Sequence, residues 1–360
     1  MLPHDRNAAT QPCTRMPVFG NWDVVARGWT IACRSDRLPR GGLHAVEILG
    51  QRLVVFRGED GATRALDAFC PHMGTDLAEG RVVGNTVRCF FHHWRFDGDG
   101  ACVHIPALPD GPVPARARLH AWATCERYGY VWVWPDRVAP SAVAEFEGLE
   151  GADLVVWHDH PYERTCHHHV CMINGIDPQH LATVHGIHIQ MDLRVDESSD
   201  GRMVDYTLTG DVPDSRVGRL LRRIIGPRYR YAMRYADGNL GLLTTVKELR
   251  LGGRGPHLPE LHMLYAYTPI AHGRVRVQPV IITRRRPGLL GYLWARLLLY
   301  ITLRGFRSLQ GEDGRVYDNM RFSPTALLPI DAPVARFIAY VNRLTPSVWS
   351  RPPAGPEDPP

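Results

Sequence analysis

The 360-residue chain is 44% hydrophobic and 22% charged, with a formal charge of +5 from 42 basic and 37 acidic side chains. This is ordinary globular composition at a length sufficient for two domains. The basic excess is mild and almost all arginine, since Lys247 is the only lysine, and it is not gathered into the stripe of a nucleic-acid binder.

Residues 1–18 read as an arm. Met1–Phe19 has neither an apolar core nor a cleavage-site pattern, so no secretory leader is expected and the protein is placed in the cytoplasm. Eight cysteines in such a chain point to metal ligands or free thiols rather than disulfides. Cys13, Cys33, Cys102, Cys125, Cys166 and Cys171 lack metal-like spacing and are read as small buried or half-buried thiols.

From 19 to 136 the pattern is short β runs broken by turns. Val46–Leu49, Arg52–Phe56, Val82–Val87 and Tyr130–Trp134 are expected strands, punctuated by Gly41-Gly42, Asp60-Gly61, Asp97-Gly98 and Asp99-Gly100. Residues 137–150 read as a linker. Residues 151–345 mix strands expected at Tyr206–Gly210, Leu242–Leu249, Leu261–Pro269 and Arg274–Thr283 with helices at Ile176–His185, Leu289–Asn319 and Pro333–Arg343. The Pro-rich end, 346–360, reads as a disordered tail. The fold class is therefore α+β, an all-β domain followed by a helix-on-antiparallel-sheet domain.

Gly288–Phe306 is the most apolar stretch. Arg296 and Arg304 interrupt it, so it is read as a helix packed on the sheet rather than a free-standing membrane span. Arg284–Arg286 and Arg307 flank it without an acid, which adds peripheral membrane contact or docking of an acidic partner as a second reading.

Cys70-Pro-His72 is followed by sixteen residues and then Cys89-Phe-Phe-His92. Zinc ribbons pair like ligands in Cys-x2-Cys knuckles. Here each of two loops supplies one thiolate and one imidazole, which suits a [2Fe–2S] cluster whose irons take two Cys and two His. Replacing two thiolates by neutral rings removes negative charge and raises the reduction potential. Pro106 lies where a third loop would cover such a cluster.

A second dense cluster follows in Asn174-Gly-Ile-Asp177-Pro-Gln-His180-Leu-Ala-Thr-Val-His185-Gly. Two His and one carboxylate leave metal positions open for O2 and substrate, as in non-haem Fe(II) oxygenases. Five residues rotate about 140° on an ideal helix, so both rings meet one ion only if the helix distorts between Leu181 and Val184 or ends by Gly186. Asp177 is a ligand, a supporting carboxylate or a helix cap beside Pro178. Glu312, Asp313 and Asp318 are candidates for the third ligand by residue type. His167-His168-His169 precedes the cluster on an expected strand, where consecutive side chains face opposite ways, so a structural or solvent role is favoured over a common metal.

Taken together, the two motifs in this order resemble the α-subunits of Rieske non-haem iron oxygenases, from roughly Trp22 to Arg343. The segments Phe91–Asp97, Cys102–Pro106 and Glu126–Trp134 are most similar to the arylamine N-oxygenases of that family. The resemblance implies that Cys70 and Cys89 hold one iron of the cluster and His72 and His92 the other. It implies that His180, His185 and Asp313 hold a mononuclear iron, Asp313 being followed by Val316 and Tyr317 at the family's spacing. It makes Asp177 an inter-subunit bridge from His92 to His180, and hence the protein a homotrimer. One departure is His93, where the family usually has glycine. The implied activity is oxidation of a small, largely apolar organic substrate with O2 and electrons from a reductase or ferredoxin, in secondary metabolism. The rival readings are an electron-transfer protein with a non-catalytic second domain and a zinc-binding interaction protein. Metal analysis separates the last: anaerobically purified protein should carry iron and labile sulfide, and a colourless zinc protein without sulfide would remove the cluster reading.

Overall fold

The computed structural model describes residues 17–185, 191–212 and 216–350. The first part of the chain forms a six-stranded antiparallel sheet and a four-stranded one. The larger runs, edge to edge, Thr30–Arg34, Tyr130–Trp134, Ala121–Arg127, Thr63–Asp67, Gln51–Arg57 and Leu43–Ile48. Tyr-Val-Trp-Val-Trp at 130–134 is buried at every position, as β-branched and aromatic residues are when a strand is covered on both faces. It turns back on Ala121–Arg127 through Tyr128 and Gly129, at φ 53° and 74°. A two-residue hairpin turn with two positive φ angles matches the twist of the strands it joins. Only glycine fits at 129, because a Cβ there would lie 2.5 Å from the His158 ring. The four-stranded sheet, Arg81–Val83, Thr86–Arg88, Arg95–Phe96 and Cys102–His104, carries the Cys89–His92 loop of the first motif, while the Cys70–His72 loop leaves the Thr63–Asp67 strand of the larger sheet.

The second part is an eight-stranded antiparallel sheet built mainly from Leu154–His158, Arg274–Arg284, Leu261–Ala271, Leu240–Thr245, Arg228–Ala236, Met203–Asp211 and Met191–Glu197, with Tyr162–Arg164 also paired to Arg274–Arg284. One core lies between the two large sheets, where Trp29, Trp132 and Trp134 meet Leu240, Leu242, Leu264, Val280 and Ile282. Val143, Phe146 and Leu149 of the expected linker are buried in it, so that segment is part of the packing rather than a free tether. The other core joins the eight-stranded sheet to the helices α1 (His168–Ile173), α4 (Gly288–Tyr317) and α5 (Ala332–Arg343). Two further helices are α2 (Pro178–Thr183) and α3 (Arg216–Ile225).

Several expectations are corrected. The strands Met191–Glu197 and Arg228–Ala236 and the helix α3 were not foreseen; their arginines and acids mask the apolar period. The strand expected at Leu242–Leu249 stops at Thr245, because Val246 and Glu248 take positive φ and the chain turns. The helix expected over 176–185 is α2 alone, preceded by a 3-10 turn at Asn174–Ile176 and by α1, where a strand was expected. The start of the tail is folded: Pro346 bridges Ala26, Ser347 N–H donates to Val25 O and Trp349 is buried. The arm is anchored at its end by Val18 and Phe19 N–H donating to Asn342 Oδ1.

Phe337 of α5 is fully buried between Phe19, Tyr235 and Tyr340. Phe337→Ala should lower unfolding free energy by about 3–5 kcal/mol in urea titration, the usual cost of an aromatic-sized cavity.

Candidate metal centres

The loop of the first motif is a tight turn. Cys70 N–H donates to Thr75 O and Gly74 N–H to Cys70 O, with Gly74 at φ 75°. In the second loop Cys89 N–H donates to Trp94 O. Both cysteines are buried while both histidines are exposed. His72 Nδ1 and His92 Nδ1 stand 3.1 Å apart, and the His72 ring is stacked on Trp94 at 4.4 Å. Burial pushes the Cys70 thiol up to about 11, with the neighbouring Cys89 thiol acting in the same direction. Two thiolates become comfortable here only against a compensating cation. Each loop presents one thiol and one imidazole, the donor set of a cluster whose two irons take two Cys and two His. His93 sits at φ 59°. Glycine reaches that conformation without strain, so the usual residue there is explained by backbone geometry and His93 accepts a conformational cost.

The second centre is assembled from α2 and α4. Asp177 caps α2, its Oδ1 accepting from Gln179 N–H at 2.9 Å and His180 N–H at 3.2 Å, with Pro178 in the first turn. The helix ends at Thr183, where Val184 N–H closes the last turn on His180 O. That ending takes His185 off the helical path, as the 140° mismatch requires. His180 Nε2 and His185 Nε2 are 3.0 Å apart, and Asp313 Oδ1 lies 2.9 Å from the first and 3.0 Å from the second. Adjacent octahedral positions around a first-row ion with bonds of about 2.1 Å are about 3.0 Å apart, against about 3.4 Å for tetrahedral ones. The donor set therefore fits one face of an octahedron.

The three acid candidates separate. Asp313 joins the two rings. Glu312 Oε2 lies 2.7 Å from His185 Nδ1. Asp318 Oδ1 instead accepts from Thr165 N–H. With a proton on His185 Nδ1, Glu312 fixes the tautomer that presents Nε2 as a lone pair. Sequence reading missed that role, for which adjacency to Asp313 was the only signal. It also missed Arg164, which donates to Gln310 O, and the hydrogen bond from Tyr317 to Cys171 O, both of which tie α4 to its surroundings. Burial first, then Tyr162 acting on Tyr265 and Cys171 acting on Tyr162, with a smaller push from the Asp313 charge, raise the phenols of Tyr265 and Tyr162 and keep them protonated. The segment 186–190 lies outside the described residues.

His167–His169 sit at the start of α1, not on a strand, and their ligating atoms do fall within 4.8 Å of one another. They do not form a metal-ready set. His167 Nδ1 accepts from His169 N–H and its Nε2 faces Asn21 O at 3.0 Å, so both nitrogens are spent. His169 Nδ1 accepts from Gly20 N–H, and Phe19 stacks on the same ring. The run anchors residues 19–21 to α1. Burial pushes His167 down from 6.5 to about 4 and holds the other two well below 6.5. The unfolded chain then binds more protons than the folded one between pH 6.5 and 4, so this stability is complete above 6.5 and lost as pH falls through that window. For His167 alone the shift corresponds to about 3 kcal/mol. Thermal unfolding by circular dichroism should show a steep fall in Tm over this range, and His167→Gln should flatten it.

Residues 28–122 match the family described as the Rieske [2Fe-2S] domain. The chain is 37% identical over 172 residues to cholesterol 7-desaturase of Hemicentrotus pulcherrimus, covering 45% of this chain and 36% of that protein. It is 35% identical over 181 residues to aminopyrrolnitrin oxygenase of Pseudomonas fluorescens, covering 47% and 49%. It is 43% identical over 111 residues to the oxygenase component of 3-ketosteroid-9-alpha-monooxygenase of Rhodococcus rhodochrous, covering 31% and 28%. These matches span half or less of each relative's length. The fold extends much further. Dicamba monooxygenase superposes with a TM-score of 0.63 over 88% of this chain and 96% of that one, at 19% identity. NdmB of Pseudomonas putida CBB5 does so with 0.64 over 87% and 89%, also at 19% identity.

Proposed function

We propose that this chain, whose residues 28–122 match the Rieske [2Fe-2S] domain, is a Rieske oxygenase α-subunit that oxidises a small, largely apolar organic molecule using O2 and externally supplied electrons. The observation that carries this reading is the convergence of His180, His185 and Asp313 at 2.9–3.0 Å, in a part of the chain that electron storage alone does not need. It disfavours a plain electron-transfer protein.

Cys70, Cys89, His72 and His92 hold the [2Fe–2S] cluster in this reading, and His180, His185 and Asp313 the mononuclear iron. Bound there, the cluster supplies single electrons and the mononuclear iron supplies O2 activation. The chain's own residues prepare the site. Glu312 holds the proton at His185 Nδ1 and keeps Nε2 aimed at the ion. Asp177, with both cap bonds on Oδ1, is assigned the bridge to His92 of a neighbouring subunit, which makes the working form a homotrimer. The phenols of Tyr162, Tyr265 and Tyr317 lie close enough to Asp313 to feel its charge, and these largely buried aromatic surroundings suit an apolar substrate. The electron donor is a reductase or ferredoxin, while the exposed rings of His72 and His92 leave the cluster end open to the neighbouring subunit's Asp177. By name the relatives are a desaturase, an oxygenase and a monooxygenase, so the reaction is assigned as oxidation without choosing among them.

His180→Ala should abolish turnover and leave the visible spectrum of the cluster intact. Retained turnover overturns the proposal. Glu312→Gln should cost about 10–100-fold in iron affinity or activity, because it weakens the orientation of a ligand without removing it.

A further inference from the structure

The helix α4 is apolar on two opposite faces. At 100° per residue, Ala295, Leu298, Leu299, Thr302 and Leu303 fall on one side. All five are buried, and Ala295, Leu299 and Leu303 belong to the core shared with the eight-stranded sheet. Leu290, Leu293, Trp294, Leu297 and Ile301 fall within about 100° of one another on the other side. These five are 40–82% exposed. A helix that only covered a sheet would carry polar residues on its outer face. This one is apolar all round in its first half, and a run of large exposed side chains on a single helix is a contact surface rather than scattered noise.

The charges around the stripe select its occupant. Arg284–Arg286 precede the helix and Arg304 ends the stripe, and no acid occurs from 284 to 311. Arg284 is bonded to Gly148 O, Arg285 faces Asp153 at 3.6 Å, Arg296 lies over Trp157 and Arg307 pairs with Asp159. Arg286 and Arg304 are exposed and, among the described residues, enter no ion pair. An exposed apolar ridge with Trp294 and Tyr300 on it and unpaired arginines at both ends is complementary to a bilayer surface with anionic headgroups. Spanning is ruled out by the opposite face, which is already committed to the protein core.

We propose that the Leu289–Arg304 half of α4 is an interfacial helix that docks this protein on an anionic lipid surface with its axis in the membrane plane. Asp313 follows twelve residues after Ile301, about 18 Å further along the same helix. The docking face and the second metal centre therefore share one rigid element. The inference does not rest on the oxygenase reading, since lipid binding is measured without turnover.

The full-length protein is mixed with vesicles of phosphatidylcholine and phosphatidylglycerol in equal parts, or of phosphatidylcholine alone, and separated by flotation. It should float with the anionic vesicles, less so in high salt, and float weakly with the neutral ones. Leu293→Glu with Leu297→Glu should reduce binding more than tenfold, with circular dichroism and the cluster spectrum unchanged. Arg286→Ala and Arg304→Ala should each weaken it about fivefold, the usual weight of a basic residue at such a surface. Failure of the unmodified protein to bind anionic vesicles overturns the proposal. So does a Leu293→Glu/Leu297→Glu variant that breaks up a larger assembly in light scattering while binding vesicles as before, because a second copy would then be what covers this face.

Discussion

Three electron-rich atoms held 2.9–3.0 Å apart are the constraint on which the second half of the chain depends. Two imidazole nitrogens and a carboxylate oxygen at that spacing are stabilised together by a shared cation or a shared proton. To keep them there the chain must fix two elements 133 residues apart, α2 with the turn behind it and the last turns of α4. Much of the surrounding architecture serves that end. Asp177 and Pro178 start α2 at a defined residue, and its early end at Thr183 releases His185. Tyr317 hydrogen-bonds α4 to Cys171 of α1. Arg164 caps the Gln310 carbonyl and packs so close to Gly314 that a Cβ there would meet its guanidinium at 3.0 Å.

The first centre solves a different problem. Its thiols are buried and its rings are exposed, so charge sits inside the protein and the way in and out lies at the surface. The tryptophan-rich core between the two large sheets fixes that end of the molecule to the eight-stranded sheet. The supposed linker contributes Val143, Phe146 and Leu149 to the same core. The two centres are thus carried on one packed body rather than on two tethered ones.

The buried histidines of α1 show how residue type misleads when geometry is unknown. Three adjacent imidazoles invite a metal, and their atoms do converge. What decides the matter is which lone pairs remain. The Asn21 carbonyl and the His169 amide use both nitrogens of His167. A hydrogen-bond inventory distinguishes a structural cluster from a ligating one where composition does not.

The sequence by itself determined the local chemistry. Cys70, His72, Cys89 and His92 lie on two short loops, and His180 and His185 lie within one turn and its exit, so spacing alone placed each group near its neighbours and forced a break after α2. The long apolar helix and the alternating strands were legible for the same reason, since period and apolar content are local properties. Tertiary structure decided what is non-local. It chose Asp313 over Glu312 and Asp318, because three acids within seven residues differ only in the direction in which α4 presents them. It gave Glu312 to His185 and took both nitrogens of His167 out of play. It also divided α4 into a buried and an exposed apolar face, since hydrophobicity records how much surface avoids water but not which side the sheet covers.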